Sequence, residues 1–346
     1  MATTYEHIQK NKIRSAILVL LVPVSFVVFV YLAVMIFFLL YSGLNYLSPT
    51  SYLTFGSTLQ VFHQKAMHVC NIVLPVAFLT GAFWAWIAIH EGDNILLNRM
   101  GSVRVLYYFE AEEAHRLLEN LCITTGMPKP ELYVLEDDSL NAFSVGARPE
   151  ASGIVLSRGL LEKLSRVQLE GVLAQQLAHI RLYDVRMMSM VIMCLAFFTF
   201  AGEYLIYGTE RDNVDSWEDI VRSPTVRVPI LVYIGAVLLL YGYLLAPFIR
   251  FALSRKYQFL ADAEAALMTR YPKGLAKALW RISQNSRLVV LDRTELLGVL
   301  CVENPQARET FFSHISGLFR SHPPVEERIR ALNDMDGLFL HVPDKK

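Results

Sequence analysis

Charge is what this sequence is short of. Only 18% of its 346 residues are Asp, Glu, Lys or Arg, against 54% hydrophobic. An ordinary soluble domain carries about a quarter charged residues, so a purely aqueous fold is not expected. Acids and bases balance at 32 each, which leaves no net positive charge to attract nucleic acid. Cysteine is scarce too. Cys70, Cys122, Cys194 and Cys301 form no C-x-x-C pair, and two of them fall in apolar runs. That argues against a disulfide framework and a cysteine zinc site, and leaves thiols packed as small hydrophobes. No internal repeat or low-complexity tract is present.

The apolar excess is gathered into runs. Ser15–Tyr41, Ala66–Ile89 and Val228–Ile249 carry no charge, and Met187–Tyr207 carries only Glu203. A helix needs about 20 apolar residues to cross the hydrocarbon core, so four crossings are expected. The first run is too long for a signal peptide, and no small-residue cleavage site follows it. Lys10, Lys12 and Arg14 precede the first run, Arg181 and Arg186 precede the third, and Arg250, Arg255 and Lys256 follow the fourth. This bias places both termini and both large polar segments in the cytoplasm. A transporter is disfavoured, because four helices are few and Glu203 is the one Asp, Glu, Lys or Arg within the runs.

The expected organisation has four parts. Residues 1–90 form a membrane hairpin with helices at about 15–41 and 66–89, and residues 187–249 form a second hairpin. Residues 91–186 and 250–346 build one polar domain, because an even number of crossings returns the chain to the same side. In that domain "EAEEAHRLLENLCITTG" reads as a helix stopped by Gly126. "LYVLE" reads as a strand, and "GIVLSRGLLEKL" as a strand entering a helix. "VQLEGVLAQQLAHIRLYDVRMM" reads as one long helix running into the third crossing. "LAKALWRISQNS" reads as a helix, and "SHPPVEERIRAL" as a turn followed by a short helix. The fold class is α+β, mainly α: four membrane helices with a cytoplasmic domain.

One helix carries an incomplete pattern. H-E-x-x-H places two imidazoles on one helix face to share a zinc ion, with the glutamate as general base on the metal-bound water. The corresponding positions here are Gln175, Gln176 and His179. A carboxamide oxygen is a weak neutral donor, and a glutamine side chain does not accept a proton near neutral pH.

Five blocks in order carry a more specific likeness. They are "NAFSVG" from Asn141, "SRGLLEKL" from Ser157, "LEGVLAQQLAHIRLYD" from Leu169, "SRKYQFLADAEAAL" from Ser254 and "SHPPVEERIRAL" from Ser321. Together they resemble the HtpX-like integral-membrane zinc metallopeptidases, gluzincins related to the CAAX prenyl proteases. The resemblance implies a zinc held by two histidines and a glutamate. Those ligands fall at Gln175, His179 and Gln258, and the catalytic glutamate at Gln176. Only His179 keeps the expected ligand type. All three replacements are glutamines, each one codon base away. The resemblance also assigns Asp262 to support of the ligands from behind, and Asn141, Ala142 and Phe143 to a peptide-binding edge strand. His322 and Arg328 would lie near the scissile bond.

The expected function is that of a catalytically degenerate homologue, a pseudopeptidase with no cofactor. It would bind membrane-protein or unfolded-polypeptide clients in a bacterial cytoplasmic membrane. One alternative is an atypical active zinc endopeptidase of membrane-protein quality control. It would use His179, a glutamine carbonyl and a further histidine such as His322 or His314. Another is a structural subunit of a membrane complex. Among the remaining histidines, His115 is placed on a helix, His68 and His90 flank a membrane helix, and His7, His63 and His341 lie near a terminus or in short loops.

Overall fold

The computed structural model describes residues 4–46, 55–92, 95, 97, 103–207, 233–242, 256–285, 302 and 323–339. In chain order the elements are α1 (Thr4–Tyr46), α2 (Phe55–His90), β1 (Val103–Val105), a short 3-10 turn (Tyr108–Glu110), α3 (Glu112–Thr125), β2 (Glu131–Leu135), β3 (Ala142–Arg148) and β4 (Ala151–Ser157). Then follow α4 (Arg158–Lys163), α5 (Arg166–Arg181), α6 (Asp184–Tyr207), α7 (Tyr233–Gly242), α8 (Lys256–Thr269), α9 (Pro272–Ser283) and α10 (Val325–Phe339). The architecture is α+β and mainly helical, as expected. The chain divides into two compact units: residues 1–15, 89–193 and 246–346, and residues 16–88 and 194–245.

The unit of residues 16–88 and 194–245 is apolar. Two spans, Pro23–Leu40 and His63–His90, are long and apolar enough to cross a membrane, and most of their surface is uncovered by protein. The third apolar run lies within α6. The fourth is described only over Tyr233–Gly242, a shorter apolar helix. Phe26 and Phe198 rings lie 4.6 Å apart, and Phe198 and Tyr241 rings 4.7 Å apart, so α1, α6 and α7 share one aromatic cluster. Ser25 Oγ and Tyr241 OH are hydrogen-bonded at 2.7 Å, and Tyr233 OH donates to the Ala33 carbonyl. Small residues let the backbones meet. A Cβ on Gly202 would come within 2.7 Å of the Gly235 carbonyl oxygen, the close approach typical of helices packing where no hydrophobic force separates protein from solvent. His63 and His68 lie inside α2, not in a short loop or a flanking position, and His7, near the N-terminus, lies inside α1.

The other unit is a four-stranded sheet packed against helices. The strand order is β1-β2-β4-β3, with β2 and β4 parallel and the other pairs antiparallel, so β3 is an edge strand among the described residues. Gly126 ends α3 as expected: it takes φ 68°, and its N–H caps the Cys122 carbonyl. The Cys122 thiol is buried in the core, which pushes its pKa up to about 11 and leaves it an inert packing group. Ser165 starts α5, with its N–H held by the Gln168 side chain. Pro272 opens α9 at a position where no backbone donor is lost. The core joins Leu118, Ile154, Leu156, Leu173, Leu177, Leu275 and Leu279, with α5 packed on the sheet, α3, α8 and α9. Gly171 permits this last contact, since a Cβ there would meet the Leu275 nitrogen at 2.8 Å.

One expected element is corrected. The segment from Val167 to Met188 is not a continuous helix. It breaks at Leu182–Tyr183, where Tyr183 takes a left-handed φ of 61°. The break is held by Asn11, whose Nδ2 donates to the Leu182 carbonyl at 3.0 Å, and by Lys12, whose ammonium sits 4.4 Å from the Tyr183 ring centre. The helix after Pro324 is also longer than expected, reaching Phe339.

Candidate functional site

The α5 helix threads the centre of its unit, and its run from Gly171 to Ile180 is buried without interruption. Polar side chains in such a run must find partners, and their partners define the site. Gln175 Nε2 donates to Asp262 Oδ1 at 3.0 Å and lies 3.4 Å from Gln258 Oε1, so α5 is tied to α8. Gln176 Nε2 donates to Gln175 Oε1 at 3.3 Å. Its own Oε1 accepts from Ser144 Oγ at 2.7 Å, which ties α5 to edge strand β3.

Asp262 takes more than one donor. Arg328, fully buried on α10, grips it with Nε and Nη2, each at 2.8 Å. Arg328 Nη1 donates to the Val302 carbonyl, and the Val302 N–H donates to the Ala142 carbonyl, both at 2.8 Å. The relay therefore runs from Ser144 through three glutamines to Asp262, Arg328 and Val302, and returns to β3. None of its side chains has a buried polar atom left without a partner.

His179 stands one turn beyond Gln175 and Gln176 and is held separately. Its Nδ1 meets Asp184 Oδ2 at 3.3 Å, and Asp184 Oδ1 accepts from Asn11 Nδ2 at 2.7 Å. On an unbroken helix, residues five apart would point about 140° away from each other. The break at Tyr183 is what returns the Asp184 carboxylate to the imidazole. A carboxylate on one ring nitrogen orients a histidine and leaves the other nitrogen as acceptor or ligand.

The structure thus gathers Gln175, Gln176, Gln258, Asp262 and Arg328 into one connected cluster, with His179 on the same helix. Asn141, Ala142 and Phe143 are all buried. Asn141 Oδ1 accepts the Ala142 N–H, Asn141 N–H is held by Ser157 Oγ, and the Ala142 carbonyl is taken by Val302. His322 and His314 lie outside the described residues. His115 braces the core, with Nε2 at 2.9 Å from the Leu106 carbonyl. Sequence reasoning missed Ser144, Asp184, Asn11 and Val302. Ser144 and Asp184 sit inside blocks already singled out, whereas Asn11 carries no signal at all.

Catalytic zinc takes three protein donors drawn from histidine, cysteine and carboxylate. The ligand positions here offer one imidazole and two carboxamides, and the Gln175 amide nitrogen is turned toward neighbouring oxygens. This donor set does not fit zinc. Among the described residues no group of three or more His, Cys, Asp or Glu is placed to hold a metal ion.

Comparison with known proteins agrees with the blocks seen in the sequence. Residues 109–336 match Peptidase family M48. A "Protease HtpX homolog" from Bacteroides fragilis is 31% identical over 323 residues, 93% of this chain and 96% of that protein. Another from Dictyoglomus turgidum is 35% identical over 269 residues, 77% and 83% of the two chains. The crystal structure of S. mikatae Ste24p is similar to 72% of this chain over 57% of its own, with 20% identity and a TM-score of 0.43.

Proposed function

This chain belongs to peptidase family M48, and from that premise we propose that it is a pseudopeptidase: a multi-pass membrane protein that uses the family fold to hold polypeptide clients and does not cut them with zinc. The relay of Gln175, Gln176 and Gln258 carries this reading. The amide at the base position accepts a hydrogen bond from Ser144 and cannot take a proton from water near neutral pH. The amides at two ligand positions bond to each other and to Asp262. Such a cluster serves as a latch between α5, α8 and β3 and needs no metal to hold it.

An extended client would pair with the edge of β3. Asn141 and Phe143, being buried, would position that strand, and the client would lie beyond Ala142, whose carbonyl is already used. Membrane-protein or unfolded-polypeptide clients fit this mode.

Purified protein is expected to contain well under one zinc per chain by elemental analysis. A strong chelator should leave its melting temperature unchanged, because a ligand that does not bind the native state cannot stabilise it. Stoichiometric zinc, with a melting temperature that falls on chelation and recovers with added zinc, would overturn the proposal.

The His179–Asp184–Asn11 arrangement favours a second reading, an atypical active zinc endopeptidase using His179 and a glutamine carbonyl. Cleavage of an unfolded polypeptide that is lost both on chelation and in His179→Ala would support it over the first.

The family and the apolar helices support a place in a bacterial cytoplasmic membrane with four crossings and both termini cytoplasmic. A phosphatase reporter that works only outside the cytoplasm is therefore expected to be active when fused after Asp219. A silent phosphatase there, with a cytoplasm-specific reporter active at the same position, would reverse the orientation.

A further inference from the structure

Helix α9 has two unlike faces. Leu275, Ala276, Ala278, Leu279 and Ile282 are spent on the core. The outward side carries Lys273, Lys277, Trp280 and Arg281, with Arg270 and Tyr271 just before the helix. Between Glu264 and Asp292 the sequence contains no acidic residue and five basic ones. In a chain whose charges balance to zero, that concentration is a local departure. Lys273 is committed to Asp336 on α10. Arg270, Lys277 and Arg281 have no ion pair among the described residues.

The same face is unusually rich in exposed aromatic and aliphatic surface. Trp280 is 61% exposed, Tyr271 42%, and Leu267, in the last turn of α8, 55%. A solvated face would be expected to mix both signs of charge, as α3 does with Glu112, Glu113, Arg116 and Glu119. Basic side chains interleaved with tryptophan and tyrosine match a surface whose outer layer is anionic and whose next layer is apolar. Tryptophan and tyrosine favour the headgroup level of a bilayer, and each basic residue near an anionic leaflet contributes about 1 kcal/mol. The same chain carries two helices long and apolar enough to cross a membrane.

We propose that the face formed by Arg270, Tyr271, Lys277, Trp280 and Arg281 is a docking site for the anionic phospholipid headgroups of the bilayer. The apolar side of α9 is already buried, so the helix does not insert. It lies against the headgroups, with the cations paired to phosphates and Trp280 reaching below them. This assignment is independent of whether the site on α5 binds zinc.

The test uses the full-length protein in lipid nanodiscs, of phosphatidylcholine alone or with phosphatidylglycerol. The Trp280 signal is isolated as the difference from Trp280→Phe, and a quencher is attached to a lipid headgroup. Quenching is expected in the anionic discs, and should fall in neutral discs and at high salt. In Arg270→Glu/Lys277→Glu/Arg281→Glu the docked equilibrium should weaken by at least about a hundredfold, at roughly 1 kcal/mol for each charge removed. A glutamine version of the triple variant guards against misfolding, and both variants should keep the parental melting temperature. Equal quenching in neutral and anionic discs, or quenching that survives the charge reversal, would overturn the proposal. So would protection of Trp280 by soluble polyglutamate in place of anionic lipid, which would assign the face to an acidic protein partner.

Discussion

Gln175→His, Gln176→Glu and Gln258→Glu, made together, are expected to create a zinc site holding one ion per chain. Two of the three ligand positions are already close to the required spacing. Two ligands on a tetrahedral zinc, with bonds of about 2.0–2.1 Å, sit roughly 3.3–3.4 Å apart, and Gln175 Nε2 lies 3.4 Å from Gln258 Oε1. Asp262, now accepting from the Gln175 amide at 3.0 Å, is placed to receive the second nitrogen of a new imidazole, the support a ligating histidine ordinarily has. His179 is oriented by Asp184. Ser144, which donates to Gln176, can donate equally to a carboxylate there. Zinc a thousandfold above its dissociation constant would add about 4 kcal/mol to stability. The triple variant should therefore show a large, chelator-reversible rise in melting temperature that the parent lacks. Without metal it should be less stable than the parent, because the substitutions crowd carboxylates around Asp262 and remove amide donors. A folded triple variant that takes up no zinc in calorimetry would mean that α5 and α8 are not arranged as a metal site. Zinc uptake accompanied by cleavage of an unfolded polypeptide would show that the edge of β3 can still hold a peptide. Zinc uptake without cleavage would confine the intact machinery to the ligand cage.

Much of this site was legible before the structure, for identifiable reasons. Gly126 is a strong local signal, so the end of α3 was read correctly, whereas α9 opens at Pro272, three residues before the helix expected at "LAKALWRISQNS", because proline is favoured in a first helical turn. Gln175, Gln176 and Gln258 were found because the blocks around them keep their order and spacing. What the sequence withheld depends on contacts between distant positions. Tyr183 is not a residue that signals a left-handed turn, and the helical pattern continues through it, so the break between α5 and α6 was missed. The residue that stabilises the break, Asn11, lies 171 positions from the carbonyl it bonds. The buried state of Asn141 and Phe143 was equally hidden, because the same alternation serves a strand that touches a ligand and one that only supports it. For the apolar runs, composition alone suggested four crossings, whereas two spans among the described residues meet the length and polarity that a crossing demands.

Arg328→Ala should be among the most destabilising single substitutions in this unit, at about 3–5 kcal/mol. Arg328 has no exposed surface, and its guanidinium holds Asp262 through two parallel bonds of 2.8 Å and the Val302 carbonyl through a third. Truncation would leave the Asp262 carboxylate buried, with the Gln175 amide as its one remaining donor among the described residues, and would take from the Val302 carbonyl the guanidinium that donates to it. Because Val302 in turn pairs with Ala142 at the edge of β3, the loss should spread from α8 to the strand. Asp262→Leu should cost a similar amount, since it strands the guanidinium in the core. Arg328→Lys should recover part of the loss but not all, because an ammonium cannot make the parallel pair of bonds. The decisive measurement is the double variant Asp262→Leu/Arg328→Met. Replacing a buried ion pair by apolar side chains removes both desolvated charges at once, so the double variant should be more stable than either truncation alone. For a domain of this size the single losses correspond to a fall in melting temperature on the order of 10 °C. If the pair served only to stabilise charge during peptide cleavage, Arg328→Ala would melt with the parent. Losses in the two single variants that simply add in the double would show that Asp262 and Arg328 act independently, which their shared geometry does not allow.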